Sequence, residues 1–220
     1  MKTLFRFLFT IIGMVALGSC GDTSEEYVTG DYFPLEKNRQ WSYERELISS
    51  GDDHDAWIHD TVTFFVDTDT TYEGKVYTKI RNEQGDTERI IRKENSKYYS
   101  LGLYAIFSET DQSYQYKENL FLDTSKPVGY RWTNYDVYFR AKTEYTIMAK
   151  KTEQEIAGIV YKDVIQIEVN YYTREVGAFN PWLTTTHYYA KDVGEIYNYY
   201  PYPLSFYYAD SRRSLIKTTN

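Results

Sequence analysis

Residues 159–173, IVYKDVIQIEVNYYT, alternate between apolar and polar side chains, with Ile165, Ile167 and Val169 sharing one parity. Successive side chains of an extended strand point to opposite faces of a sheet, so this pattern is typical of a β-strand with one buried face. Ala157-Gly158 separates this stretch from residues 153–157 and has the composition of a two-residue hairpin turn. The region therefore predicts an antiparallel hairpin.

The same two-residue period continues along most of the chain after residue 30. It is found in residues 41–48, 61–67, 76–81, 88–93, 97–107, 114–122, 131–150, 183–190, 194–200 and 212–219. Only residues 147–156 could adopt a helix, and we interpret them as strand and turn. The sequence predicts one all-β domain over residues 31–220, with about ten to twelve antiparallel strands forming a curved sheet, an open barrel or a sandwich.

The composition is rich in tyrosine and acidic. The chain has 25 Tyr, 11 Phe and 4 Trp, and its formal net charge is −7. Tyr combines an apolar ring with a polar hydroxyl group, which suits half-buried positions on a sheet. An acidic chain lacks the basic face that phosphate binding requires, so we expect no nucleic-acid partner and no docking on anionic lipid by charge.

The N-terminal residues have the layout of a secretory signal. Lys2 and Arg6 precede the apolar residues 7–17, a run too short to span a bilayer as a stable helix. Leu17-Gly18-Ser19-Cys20 follows, and Cys20 is the one cysteine of the chain, so no internal disulfide can form. This tetrapeptide resembles the bacterial lipobox, whose cysteine thiol takes up a diacylglycerol. The resemblance implies removal of residues 1–19, lipidation of Cys20 and a membrane anchor.

Residues 20–30 continue from this cysteine as a polar, acidic segment without an apolar period, which predicts a flexible tether. Asp22, Glu25 and Glu26 resemble the export signal of surface-displayed lipoproteins in some Gram-negative bacteria. The implied location is the outer membrane, with the domain facing the periplasm or exposed on the cell surface.

Four short segments resemble a broad group of Gram-negative envelope lipoproteins of unknown function. They are Tyr32-Phe33-Pro34-Leu35 with Trp41 and Tyr43, Phe121-Leu122-Asp123 with Val128-Gly129 and Trp132, residues 158–164, and Tyr189-Ala190-Lys191-Asp192-Val193-Gly194-Glu195-Ile196. Asp192 and the Asn38-Arg39-Gln40 segment stand where the group usually has glycine. The resemblance implies a β-rich fold and an envelope location, and no reaction.

No catalytic, metal or cofactor site is predicted, and we expect the protein not to be an enzyme. Residues 51–60 contain His54, His59 and four aspartates, but neighbouring side chains of a strand diverge, so we interpret the segment as a hydrophilic hairpin loop. Residues 67–74 weakly resemble a calcium loop that has Thr71 at a ligand position. His187 alternates with its neighbours and is predicted to be a sheet residue, and no Gly-x-Ser-x-Gly motif occurs.

The aromatic stretch 197–208, YNYYPYPLSFYY, is the strongest candidate for a binding surface. Pro201 and Pro203 interrupt it, which predicts a loop or an edge strand. Exposed aromatic rings stack on sugars and mark binding sites. The predicted ligand platform consists of Trp182, Tyr199, Tyr200, Tyr202, Phe206 and Tyr207. The alternative is that these rings pack over one end of the sheet.

These features favour a binding or structural role for a lipid-anchored protein, with a glycan or an envelope protein as the partner. An alternative is a lipid or lipoprotein carrier, which requires an apolar concave sheet face. A surface hydrolase is the third hypothesis and requires titratable groups that converge in a cleft. The sequence carries no signal of an oligomeric state.

Overall fold

A computed structural model describes residues 30–49, 57–107, 112–136, 141–175, 178–201 and 208–219. The predicted lipidation site, Cys20, and the platform residues Tyr202, Phe206 and Tyr207 lie outside these ranges. The described residues contain no helix and form twelve strands: β1 (Gln40–Ser49), β2 (Trp57–Tyr72), β3 (Lys75–Asn82), β4 (Thr87–Glu94), β5 (Lys97–Phe107), β6 (Gln112–Asp123), β7 (Arg131–Asp136), β8 (Ala141–Ile156), β9 (Ile159–Glu175), β10 (Ala178–Ala190), β11 (Gly194–Pro201) and β12 (Tyr208–Thr219).

All twelve strands belong to one antiparallel sheet with the order β6-β5-β4-β3-β2-β1-β12-β11-β10-β9-β8-β7. Strands that follow each other in the sequence are neighbours, except β6 and β7, which form the two edges of the sheet. Strand β1 also pairs with β12, and this pairing joins the two halves of the chain. The sheet curls into a nearly closed barrel whose interior we call the lumen. The all-β prediction is confirmed, and among the predicted architectures the open barrel is the one found.

The two edge strands, β6 and β7, face each other across a seam that side chains bridge. The indole Nε1 of Trp132 and the amide Nδ2 of Asn134 both donate to the Leu120 carbonyl, each at 2.9 Å. The Trp132 ring also stacks on Tyr145, with 5.2 Å between ring centroids. Trp132 therefore helps to close the sheet.

Several predicted turns occupy the left-handed backbone region. Ala157 and Gly158 have φ values of 51° and 77°, which confirms the hairpin turn between β8 and β9. Asn38 and Asp192, the positions where the resembled lipoproteins usually have glycine, have φ values of 70° and 59°. Asn and Asp tolerate this region better than other side chains with a Cβ, so Asn38 and Asp192 can each occupy a turn of this kind. At Gly194, with φ +113°, an added Cβ would lie 2.9 Å from Nε1 of Trp41.

The N-terminal end of the domain packs into one end of the lumen, which we call the plugged end. Tyr32 and Phe33 are buried, and the Phe33 ring lies 5.5 Å from Trp41 and 6.0 Å from Phe121. The Tyr98 hydroxyl accepts a hydrogen bond from the Tyr32 amide and donates one to Asp31. Packing against the core therefore starts at Asp31, where the predicted tether ends.

The structure corrects the loop prediction at residues 57–60, whereas residues 51–56 lie outside the described ranges. Residues Trp57–Asp60 begin β2, and their backbone pairs with residues 45–48 of β1. Asp60 forms an ion pair with Arg45 on the opposite strand, which explains why an acidic residue fits there. In the weakly calcium-like segment, Asp67 and Asp69 lie within β2 and interact with Arg81 and Thr78. The potential helix at 147–156 lies wholly within β8, as the strand interpretation requires.

Candidate functional site

Arg89, His187 and Glu195 meet inside the lumen although they come from strands β4, β10 and β11. Arg89 shares a face with the buried Ile91, and His187 shares one with Thr185 and Tyr189, because side chains two apart on a strand point the same way. Strand β4 is separated from β10 and β11 in the sheet order, so the curl of the sheet brings the three side chains together. They form a polar centre in an interior that is mainly aliphatic and aromatic.

A chain of hydrogen bonds links these residues. Nη2 of Arg89 donates to Oε2 of Glu195 at 2.8 Å, and Nδ1 of His187 lies 2.7 Å from Oε1 of the same carboxylate. Nε2 of His187 lies 2.9 Å from the Thr185 hydroxyl. Because a carboxylate accepts hydrogen bonds, the network assigns the His187 proton to Nδ1, and Nε2 then accepts from Thr185.

Glu195 is ionised and almost fully buried, with 5% of its side chain exposed. Burial alone would raise its pKa, but the Arg89 charge and the His187 hydrogen bond outweigh burial and lower the pKa to about 2. Both oxygens of the carboxylate are used by these two partners. Glu195 therefore holds Arg89 and His187 in place.

Arg89 separates two spaces in the lumen. The larger is a cavity of about 240 Å³ whose walls are mostly aromatic: Phe121, Tyr145, Tyr171, Tyr189 and Tyr200. Arg89, His187 and Ser100 supply its other polar groups. The smaller pocket, about 20 Å³, also contacts Asn198, whose buried Oδ1 has no hydrogen-bond partner among the described residues. A cavity of ~150 Å³ holds benzene, so the larger space can take a ligand with one ring.

The tyrosine hydroxyls around the cavity are hydrogen-bond donors at neutral pH. Burial raises the pKa of Tyr171, Tyr189 and Tyr200, which keeps all three protonated. The Tyr171 hydroxyl also interacts with the side chains of Thr185 and Tyr200. The hydrogen-bond chain thus extends from Arg89 towards the rim of the lumen.

The order Thr185, His187, Glu195 matches the order of a nucleophile, a base and an orienting carboxylate. The access that such chemistry needs is missing for this hydroxyl. Thr185 is fully buried and does not line the large cavity, whereas His187 does. The chain therefore acts to fix the His187 ring and its tautomer.

The structure separates the platform residues that it describes. Tyr199 and Tyr200 point to opposite faces of β11, so one flat surface cannot include both. Tyr200 lines the cavity and meets the His187 ring edge-on at 5.4 Å, whereas the Arg212 guanidinium lies 5.4 Å from the Tyr199 ring. Trp182 is 36% exposed and lies at the rim, 6.1 Å from Tyr171. A ligand platform at these residues stays a prediction.

Sequence reasoning placed His187 correctly in a strand but missed Arg89 and Glu195. A usable signal existed in residues 88–93, where Arg89 occupies the same parity as the apolar Ile91. The residues that the structure describes contain no cluster of three or more His, Cys, Asp or Glu side chains suited to a metal ion. In the same ranges there is no helix long and apolar enough to cross a membrane.

Comparisons with known proteins place two solved structures beside this chain. No protein-family model and no curated protein sequence matches it. A Bacteroides fragilis structure, assigned as an exported protein with a YmcC-like fold, is 8% identical with a TM-score of 0.45 and covers 87% of this chain and 100% of its own. A Parabacteroides distasonis structure, assigned as a lipoprotein, is 12% identical with a TM-score of 0.38 and covers 87% and 99%. Likenesses this distant carry no argument about function.

Proposed function

We propose that this chain is a lipid-anchored envelope protein that binds a small polar molecule in the lumen of its sheet. The observation that carries the proposal is the cavity of about 240 Å³, which combines aromatic walls with the charged Arg89 and the polar His187. Natural ligand sites share this combination of apolar walls and a few fixed polar groups. Glu195 and Thr185 hold those polar groups in one arrangement before any ligand arrives.

The polarity of the lumen favours this function over acyl-chain transport. A lipid carrier needs an apolar interior, because an acyl chain cannot satisfy buried polar groups. Here the concave face carries Arg89, Glu195, His187 and Asn198. A single sugar ring or a small aromatic compound fits the volume and can use the hydroxyl, imidazole and guanidinium groups. A glycan end that passes Trp182 at the rim is one form of such a ligand.

The anchor belongs to the same proposal and rests on Lys2, Arg6 and the Leu17–Cys20 tetrapeptide. We infer that Cys20 carries the lipid and that the protein resides in the outer membrane. Labelled palmitate supplied to the native host should enter the wild-type protein and not a Cys20→Ser variant. Equal labelling of the two forms, or labelling of neither, would contradict the anchor.

Ligand binding is tested with the full mature protein in detergent. Neutral sugars, sugar acids, small aromatic alcohols and acids, and fatty acids are screened by thermal shift, and hits are titrated by calorimetry. A Ser100→Phe variant fills the cavity, and Ser42→Phe adds the same ring on the opposite face of the sheet, beside Thr63. We expect Ser100→Phe to abolish binding and Ser42→Phe to preserve it.

Three outcomes would overturn the lumenal site: no compound binds, the Ser100→Phe variant binds as the wild type does, or fatty acids alone bind. The last result would instead support the carrier hypothesis. Mass spectrometry of the purified protein for bound acyl chains gives an independent check on that alternative.

A further inference from the structure

We propose that the lumenal ligand carries a carboxylate, and that Arg89 binds it. This inference rests on the proposed function, because it names the chemical class of the molecule that enters the large cavity. It concerns any small ring compound with a carboxylate group, whether the ring is a sugar or an aromatic acid.

The charge of the cavity lining supports an anionic ligand. Among the described residues that contact the large cavity, Arg89 carries a permanent charge and no acidic side chain takes part. Glu195 lies behind Arg89 and His187, with both oxygens already used. The hydroxyls of Tyr171, Tyr189 and Tyr200 are protonated, but Tyr189 already hydrogen-bonds Glu195, and Tyr171 already hydrogen-bonds Thr185 and Tyr200. The charge of the described lining is therefore positive because of Arg89, and this charge favours an anion.

Arg89 has donors to spare for this anion. A guanidinium group has five N–H donors, and a carboxylate can take two of them side by side. Within the described part of the chain, Arg89 makes one hydrogen bond, from Nη2 to Glu195. Its remaining nitrogens are not sealed off, because its side chain is 24% exposed and it lines both lumenal pockets.

The same strand shows that one arginine can serve two carboxylates here. Arg92, three residues along β4, donates from Nε and Nη2 to Glu118 and from Nη1 to Glu94. Arg89 has the first carboxylate, Glu195, and no second one among the residues that the structure describes. The geometry of a filled arginine on the opposite face of β4 thus indicates what Arg89 is missing: a second carboxylate, supplied by the ligand.

The aromatic walls select the rest of the molecule. The rings of Phe121, Tyr145 and Tyr189 surround the cavity, and flat faces of this kind pack against an aromatic ring or the apolar face of a sugar. The predicted ligand is therefore a carboxylate attached to a single ring, with the carboxylate at Arg89 and the ring between the tyrosines.

The test compares compounds that differ in the carboxylate alone: benzoate with benzyl alcohol, and glucuronate with glucose. Each is titrated into the full mature wild-type protein, into Arg89→Lys and into Arg92→Lys. Arg89→Lys keeps the positive charge beside Glu195 but loses the paired N–H donors of the guanidinium group. Arg92→Lys makes the same change on the opposite face of β4. We expect each acid that binds to bind at least about tenfold more tightly than its neutral partner. Arg89→Lys should remove that preference, and Arg92→Lys should retain it.

The outcomes separate this inference from the function on which it rests. If neutral members bind the lumen as tightly as the acids, the carboxylate inference is wrong while the lumenal site stands. An acid preference that survives in a folded Arg89→Lys protein, with Tm and near-ultraviolet circular dichroism like the wild type, also contradicts it. If no member of either pair and no other compound of the screen binds, the proposed function itself is wrong. Which acid binds decides between the sugar and the aromatic source.

Discussion

Arg89 and Arg92 lie on the same strand, three residues apart, and their surroundings differ sharply. Arg92 is held on every side: it makes three hydrogen bonds to two carboxylates, and its guanidinium lies 4.3 Å from the Tyr99 ring centroid. With the described residues, Arg89 makes one hydrogen bond, and it faces a cavity. The N–H donors of Arg92 are largely used by its neighbours, whereas Arg89 on the same strand keeps unused donors. These unused donors make Arg89 available to a ligand.

The carboxylate partners of the two arginines differ in burial. Glu195 is 5% exposed and bonds Arg89, His187 and Tyr189, whereas Glu118 is 20% exposed and bonds Tyr77 and Lys75 besides Arg92. Removal of one partner should therefore cost more in the lumen than on the opposite face. Three measurements test this difference between the Arg89–Glu195 pair and the Arg92–Glu118 pair.

The largest expected effect is on stability. Arg89→Met leaves the buried Glu195 carboxylate without its main counter-charge and should lower the free energy of unfolding by about 3–5 kcal/mol. Arg92→Met should cost about 1–2 kcal/mol, because Glu118 retains Lys75, Tyr77 and contact with water. Urea unfolding of the two variants measures both values.

A double variant controls this comparison. Arg89→Met combined with Glu195→Gln removes the uncompensated charge, while the amide oxygen still accepts from His187. It should therefore regain much of the stability that Arg89→Met loses. Equal losses for the two single variants would remove the distinction between the two arginines.

The second prediction concerns the stability of the fold at acidic pH. The pKa values of Glu195 and Glu118 are both lowered from 4.5 to about 2. A carboxyl group whose pKa is lower in the folded state stabilises the fold above the unfolded value, and this stability is lost as the pH falls from 4.5 towards 2. For Glu195 the loss amounts to about 3 kcal/mol.

Urea unfolding at several pH values between neutral and about 3 checks this prediction. Glu195→Gln should flatten the acid branch of the stability curve more than Glu118→Gln does, because solvent screens the more exposed Glu118. The opposite order would show that the Arg92 cluster on the other face of β4, and not the lumen, limits stability in acid.

The smallest expected effect is the response to salt. The coupling energy between Arg92 and Glu118, measured by a double-mutant cycle, should fall by less than about 1 kcal/mol when sodium chloride is raised to about 1 M. The coupling between Arg89 and Glu195 should stay constant, because burial protects it from mobile ions. A salt-sensitive Arg89–Glu195 coupling would mean that the lumen is far wetter than the 5% exposure of Glu195 implies.

The sequence predicts the strands of this fold because the alternation of side chains and the composition of turns are properties of neighbouring residues. Alternation of apolar and polar residues identifies the strands, and Ala157-Gly158 identifies a hairpin turn that the structure confirms. Alternation does not give the order of the strands, which the structure shows to be sequential apart from β6 and β7 at opposite edges and the pairing of β1 with β12. The sequence does not predict the start of β2 at Trp57, because residues 51–60 are rich in aspartate and such a composition is typical of a loop. The ion pair between Asp60 and Arg45 on the neighbouring strand becomes visible only in the structure.

The candidate site depends on long-range contacts that local patterns do not contain. Arg89 and Glu195 are 106 residues apart and meet only because the sheet curls across several strands. In residues 88–93, Arg89 is one of several charged residues, and the sequence does not separate it from the charges that face solvent. The one signal is that it lies two residues from Ile91 and therefore shares a face with it. Tyr200 was singled out for its aromatic neighbourhood, but the direction in which its ring points follows from the register of β11.

The packing of Asp31 and Tyr32 onto Tyr98 determines the end of the sheet at which the N-terminal segment leaves the domain. If lipid is attached at Cys20 as proposed, the chain from that cysteine to Asp31 reaches at most about 40 Å, so the plugged end stays within that distance of the bilayer. Trp182 lies at the far end of β10 from Ala190, about 26 Å further along the strand. The rim at Trp182 and the attachment of the proposed tether therefore lie at opposite ends of the sheet, so a ligand at the rim and an anchored lipid would not compete for the same end of the domain.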